Sequence, residues 1–163
     1  MAKKELDWVG GATLEEHSRR KHKILREYVS DYLDVRCTHP AQSRFRLAIV
    51  DGFAGAGRYE CGSPGSPVIF LETIHRAAER INIRRAAEGM AQIEFDLFCI
   101  FNDATPAVIE QCATNVAPVI AEIASSNRQL HIETVFLSDK YEDSHQMQQR
   151  PLRDSNFSST EIC

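Results

Sequence analysis

The sequence predicts an α/β fold built on a parallel sheet, and three observations carry that expectation. Leu47 to Val50 form an unbroken apolar run that stops at Asp51, the pattern of a strand covered on both faces. Gly52, Gly55 and Gly57 follow at once, residues whose missing Cβ lets backbone approach a ligand closely. A second apolar run, Phe95 to Phe101, closes on Asn102-Asp103, and helical patterns separate the runs, so strands and helices alternate along the chain. In such sheets ligands bind beyond the carboxyl ends of the strands, which makes the turn after Asp51 the candidate binding edge.

The elements follow in order. Thr13-Leu14-Glu15-Glu16 reads as a capping box that opens the first helix near Thr13. Along that helix Ile24, Leu25, Tyr28, Val29, Tyr32 and Leu33 recur at helical spacing as one apolar stripe. Arg19, Arg20, Lys21, Lys23 and Arg26 sit mostly elsewhere and form a basic cluster, read either as a solvated face or as a contact for a phosphate or an acidic partner. His17 and Lys21 lie one turn apart and are either a shared ligand site or an ordinary exposed pair. Cys37 to Ser43 is a loop containing Pro40, leading to the strand Phe45 to Val50. After the glycine turn and a short insertion over Glu60 to Gly65, a second helix is expected with Ser66 as N-cap and Pro67 in its first turn. Its start is either an anion site or simply a turn and helix entry.

Asp103, at the end of the second strand, is a candidate acceptor for ribose hydroxyls, the alternative being a helix cap in Asp103-Ala104-Thr105-Pro106. A third helix runs from Ala107 to about Ala124, with Pro118 expected to kink or break it. His131 to Leu137 alternates as a third strand, and Asp139 just beyond it is either an adenine-binding residue or a turn aspartate.

Composition bounds the function. With 163 residues, 43% hydrophobic and 26% charged, one domain with one core is expected. The net charge of -4 indicates no global attraction to nucleic acid, although it leaves room for a local basic face. The five cysteines are scattered without a C-x-x-C pair, so reduced thiols and no metal site are expected. Neither a spanning segment nor a signal-peptide pattern is present, and a cytoplasmic protein without membrane contact follows as the expectation.

Three chemistries use a glycine turn after a strand. The order Gly52, Gly55, Gly57 fails the G-x-G-x-x-G dinucleotide spacing. Gly52 to Gly57 has the P-loop interval, but Arg58 and Tyr59 stand where the lysine and the magnesium-binding hydroxyl belong. The remaining pattern, D-x-F-A-G-x-G over Asp51 to Gly57, resembles the first motif of S-adenosylmethionine-dependent methyltransferases. Together with Trp8, the His17 to Val29 segment, Asp51 to Tyr59 and Gly65-Ser66-Pro67, it resembles the bacterial three-Cys-motif partner proteins over roughly residues 8 to 139.

That resemblance implies a Rossmann-like three-layer sandwich of the class I methyltransferase type, with S-adenosylmethionine as cofactor. It also implies a three-cysteine-motif protein as partner, and a cofactor edge of Asp51, Gly52, Phe53, Ala54, Gly55, Gly57, Asp103 and Asp139. Methyltransferases of this type place substrate groups after a fourth strand, often in an Asp-Pro or Asn-Pro dipeptide, and neither dipeptide occurs here. The chain is therefore expected to be a truncated member, incomplete at its C-terminus. Residues 1–139 would form the N-terminal helix and cofactor-binding half-domain, and 140–163 a polar, disordered tail. No catalytic residue is assigned. The alternative function is a non-catalytic interaction module serving a cysteine-rich protein; a nicotinamide-dependent dehydrogenase is a distant third.

Overall fold

A computed structural model describes residues 13–139; Trp8 and the 140–163 segment named above lie outside the described residues. The elements are α1 (Glu16–Arg36), β1 (Arg44–Asp51), α2 (Ser66–Ala87), β2 (Glu94–Asn102), α3 (Pro106–Ser126) and β3 (Leu130–Leu137). The strands form one parallel sheet in the order β1-β2-β3, with Asp51 opposite Phe101 and Asn102 opposite Leu137. Strand and helix thus alternate as the sequence predicts, and the mixed α/β class is observed.

All three helices pack on one face of this sheet. Phe45, Leu47 and Ile49 of β1 and Phe95, Leu97, Cys99 and Phe101 of β2 share a single core with Val29 and Leu33 of α1, Leu71, Ile74 and Ile81 of α2, and Cys112, Val116 and Ile123 of α3. The intervening positions point the other way, because strand side chains alternate. There Ala48, Phe98 and Ile100 are only half-buried, and Val50 is 43% and Val135 36% exposed. Among the described residues the architecture has two layers, not three, and the sheet face that carries no helix is apolar only toward its carboxyl end; toward the amino end Arg44 and Arg46 pair with Asp96 on it. The free edge of β1 adjoins that face.

Several local expectations are corrected. Glu15, not Thr13, is the N-cap of α1, and no side chain caps it, so the capping box does not form. Only the inner part of the apolar stripe meets the core: Ile24 is 65% and Tyr28 52% exposed, because the contact with α2 and the sheet covers less than the arc those residues span. Gly65 rather than Ser66 caps α2, the Ser66 hydroxyl being engaged elsewhere, while Pro67 does occupy the first turn. Thr105 is the N-cap of α3, as the helix-start reading of Asp103-Ala104-Thr105-Pro106 has it, though without a side-chain bond, and the helix does not break at Pro118 but continues to Ser126. An interior proline removes one backbone bond, and here the buried Val116, Val119 and Ile123 keep the helix intact around it.

Two buried polar side chains organise the end of the molecule opposite the glycine turn. Asn82 donates to the Ile93 carbonyl at 2.9 Å and accepts from the Ile93 amide at 2.8 Å, fixing the entry to β2 on α2. Arg85, 1% exposed, donates to the carbonyls of Ala91, His39, Pro40 and Gln42 over 2.8 to 3.1 Å. It ties the loop before β1 and the loop before β2 to one helix, using the several donors that a guanidinium presents in a plane.

Candidate functional site

The chain leaves β1 at Asp51 and turns through Gly52 to Gly57 at the carboxyl rim of the sheet. Asp51 is the clasp of this turn. Its Oδ1 accepts from the Phe53 amide at 3.1 Å and its Oδ2 from the Ser66 hydroxyl at 2.5 Å, joining the strand end, the turn and the first residue of α2. Although the residue keeps some surface, its carboxyl is enclosed, and burial raises its pKa above 3.8. The Ser66 and Phe53 bonds oppose that rise, and the nearby Asp103 carboxylate adds to it. Asp51 and Asp103 therefore share one electrostatic environment at the ends of adjacent strands.

Asn102 is the residue that sequence reasoning passed over. Its side chain, 4% exposed, donates to the Gly52 carbonyl at 3.3 Å and the Asp139 carbonyl at 2.9 Å and accepts from the Asp139 amide at 3.0 Å. Its own carbonyl accepts from Ala54 N–H at 2.9 Å. The turn after β1, the end of β2 and the segment after β3 are thus joined through one amide. The available signal was an asparagine at the last position of a buried strand, where an unpaired amide would cost too much to tolerate.

Phe53 projects outward, 73% exposed, whereas Ala54, Gly55, Ala56 and Gly57 are buried. Gly55 has φ 60° and Gly57 φ 77°, the left-handed region that favours glycine. A Cβ on Gly57 would lie 3.4 Å from the Cys112 Sγ, and the Ala56 carbonyl accepts from Asn115 Nδ2 at 2.8 Å, so this part of the turn packs on α3. Gly65 closes the insertion by donating from its amide to the Gly57 carbonyl at 2.8 Å. The sequence-derived residues accordingly divide by position. Asp51, Gly52, Phe53, Asp103 and Asp139 reach the surface of the rim; Ala54, Gly55 and Gly57 lie beneath it and shape the turn.

Asp103 Oδ1 accepts from the Thr105 amide at 3.0 Å, a local turn that leads into α3 and leaves the second carboxylate oxygen for other partners. The helix cap itself is Thr105, and Asp103 lies two residues before it. The described residues contain no group of His, Cys, Asp and Glu suited to a metal ion. Among the described residues no helix is long and apolar enough to cross a membrane. A shallow recess of about 360 Å³ lies to one side, lined by Thr13, Leu14, Arg19, Glu60 and Cys61, and none of the rim residues named above borders it.

Chemically, the rim offers the carboxylate-bearing residues Asp103 and Asp139 beyond β2 and β3 and an exposed aromatic ring, while the Asp51 carboxyl is enclosed by its own turn. Carboxylates accept from hydroxyl and amino groups and attract a cation, and they repel a diphosphate. No protein-family model matches the chain, and no curated protein matches it.

Proposed function

We propose that the rim binds S-adenosylmethionine and that the chain is a methyltransferase-like protein related to the three-Cys-motif partner family. The observation that carries this reading is the glycine turn at the carboxyl rim, held by Asp51 through the Phe53 amide and the Ser66 hydroxyl and by Asn102 through the Gly52 carbonyl, with Asp103 at the end of the adjacent strand. Asp103, with one oxygen uncommitted, suits the ribose hydroxyls. Asp139, whose backbone Asn102 holds at the same rim, is the residue assigned to the adenine amino group in this reading. The exposed Phe53 ring offers an apolar face to the base. The acidic surroundings favour a sulfonium cation over the pyrophosphate of a nicotinamide dinucleotide, which separates this reading from a dehydrogenase.

When bound, the cofactor supplies an electrophilic methyl group; the chain's own contribution is to hold and orient it and to exclude water. Calorimetry of the full chain with S-adenosylhomocysteine tests the reading. Micromolar binding is expected, and Asp103→Ala should weaken it about 10- to 100-fold, the equivalent of losing charge-assisted hydrogen bonds worth ~1.5–3 kcal/mol. A folded sample that binds NAD but not S-adenosylhomocysteine overturns it.

The uncovered apolar patch at the carboxyl end of the open sheet face favours a second reading, a non-catalytic module whose partner, such as a cysteine-rich protein, covers Val50, Ile100 and Val135. Under that reading a folded sample binds neither nucleotide.

A further inference from the structure

We infer that the N-terminal half of α1 is a docking strip for the phosphate backbone of a single-stranded nucleic acid. This would make nucleic acid the methyl acceptor; that last step rests on the cofactor reading, whereas binding of the strand does not.

Charge on α1 is segregated along its length. Residues 16–26 carry Arg19, Arg20, Lys21, Lys23 and Arg26 against Glu16 alone, while 27–36 carry Glu27, Asp31 and Asp34 against Arg36. The helix macrodipole favours the reverse arrangement, so this order does not serve the stability of the helix. Internal pairing does not absorb the charge either. Arg20 meets Glu16 at 2.7 Å and Lys23 meets Glu27 at 3.7 Å, both pairs largely exposed, and among the described residues Arg19, Lys21 and Arg26 form no ion pair.

Position gives the cluster its meaning. At 100° per residue Arg19, Lys23 and Arg26 fall on one stripe of the helix, beside His22. The His22 ring packs on Tyr59 with centroids 5.7 Å apart, so the stripe is fixed against the loop that continues directly from the glycine turn. In that loop Arg58 is held by a 3.1 Å bond from its Nη1 to the Gly62 carbonyl. Glu60 lines the recess with Arg19 and bounds the strip at that end.

A phosphodiester chain fits this strip better than a protein surface does. Arg19 to Arg26 spans about 10 Å of helix at ~1.5 Å per residue, so Arg19, Lys23 and Arg26 can meet neighbouring phosphates of one strand. The stripe contains no apolar anchor, since Ile24 and Tyr28 lie on another side of α1, and protein interfaces draw their energy from such anchors. Counterion release needs only the cations.

The test is fluorescence anisotropy of the full chain with labelled DNA and RNA oligonucleotides of about 12 nucleotides, within the usual site size for such binding, over a series of salt concentrations. Binding is expected, with a slope of log affinity against log salt near -2, from about three contacts at ~0.7 each. Arg19→Glu/Arg26→Glu together should weaken it at least tenfold, whereas Arg128→Glu, exposed beyond α3, should leave it unchanged. Absence of binding at low salt by a folded sample overturns the inference. So does equal loss in the Arg128 variant, or equal affinity and salt slope for poly-glutamate, which would assign the strip to an acidic protein. Calorimetry with S-adenosylhomocysteine on the same samples separates the two claims: oligonucleotide binding without cofactor binding removes only the methyltransferase reading.

Discussion

Asn102 and Asp139 form a reciprocal pair of hydrogen bonds, the Asn102 amide donating at 2.9 Å to the Asp139 carbonyl and accepting at 3.0 Å from its N–H. The same amide reaches the Gly52 carbonyl, so the candidate cofactor edge depends on a side chain that touches no ligand in the proposed arrangement. Asn102→Ala should cost ~1–3 kcal/mol by leaving buried groups without partners. Asn102→Asp should cost more at neutral pH, because a carboxylate would face two carbonyls it cannot bond. Its excess cost should shrink as the pH is lowered and the acid regains a proton to donate. Chemical denaturation of both variants at two pH values checks this; an aspartate variant as stable as wild type at pH 7 would show that the amide donor is dispensable.

A second expectation concerns Asp51. Its folded pKa lies above 3.8, chiefly through burial, so the folded state binds the proton more tightly than the unfolded chain does. The stabilising contribution of protonated Asp51 is therefore present below 3.8 and is lost as pH rises through the folded value. Asp51→Asn mimics the neutral form and retains partners for Ser66 and the Phe53 amide. It should melt at or above the wild-type Tm at pH 7, with the difference vanishing below pH 3.8. A lower Tm at pH 7 would mean that the two hydrogen bonds to the carboxylate outweigh its desolvation.

Much of this frame was legible in advance, and the misses have a common cause. The runs ending at Asp51 and Asp103 announce strands of a parallel sheet, but the expectation that both faces are covered is met on one face only, since buried and half-exposed positions alternate along both strands. The helices between them follow from periodicity. Capping was misjudged at Thr13 and Ser66 because a hydroxyl serves whichever partner the tertiary structure brings near. For Ser66 that partner is Asp51, fifteen residues back in the chain. Arg85 and Asn102 were missed for the same reason: their partners lie tens of residues away, and no local pattern announces a charged or amide group that will be buried. The open sheet face was partly foreseeable: Arg44, Arg46, Glu94, Asp96, His131 and Glu133 alternate with the core positions, whereas Ala48, Val50, Phe98 and Ile100 toward the carboxyl end are apolar like those of a covered strand.

Gly57 tests whether the turn tolerates a side chain. With φ 77° and a would-be Cβ 3.4 Å from Cys112 Sγ, Gly57→Ala combines left-handed strain with pressure on α3. A loss of ~1–2 kcal/mol is expected from the backbone alone. Gly62→Ala shares φ 77° but has nothing within 4 Å of the added atom, so it isolates the backbone component. Thermal melts of the two variants should place Gly57→Ala below Gly62→Ala; equal Tm values would mean that the contact with α3 relaxes freely.

Arg85 offers the clearest separation of charge from geometry. Its guanidinium satisfies carbonyls from both loops at the amino end of the sheet, and no carboxylate pairs with it in those bonds. Arg85→Ala should destabilise the fold by ~2–4 kcal/mol, since several charge-assisted bonds disappear together and the carbonyls are left to find water. Arg85→Lys keeps the positive charge but cannot span the same set of acceptors, because an ammonium is a point donor on a flexible stem. It should recover less than half of the lost stability. Urea denaturation of the three proteins decides the matter: full recovery by lysine would show that the cation itself, and not the planar fork, holds the loops before β1 and β2 onto α2.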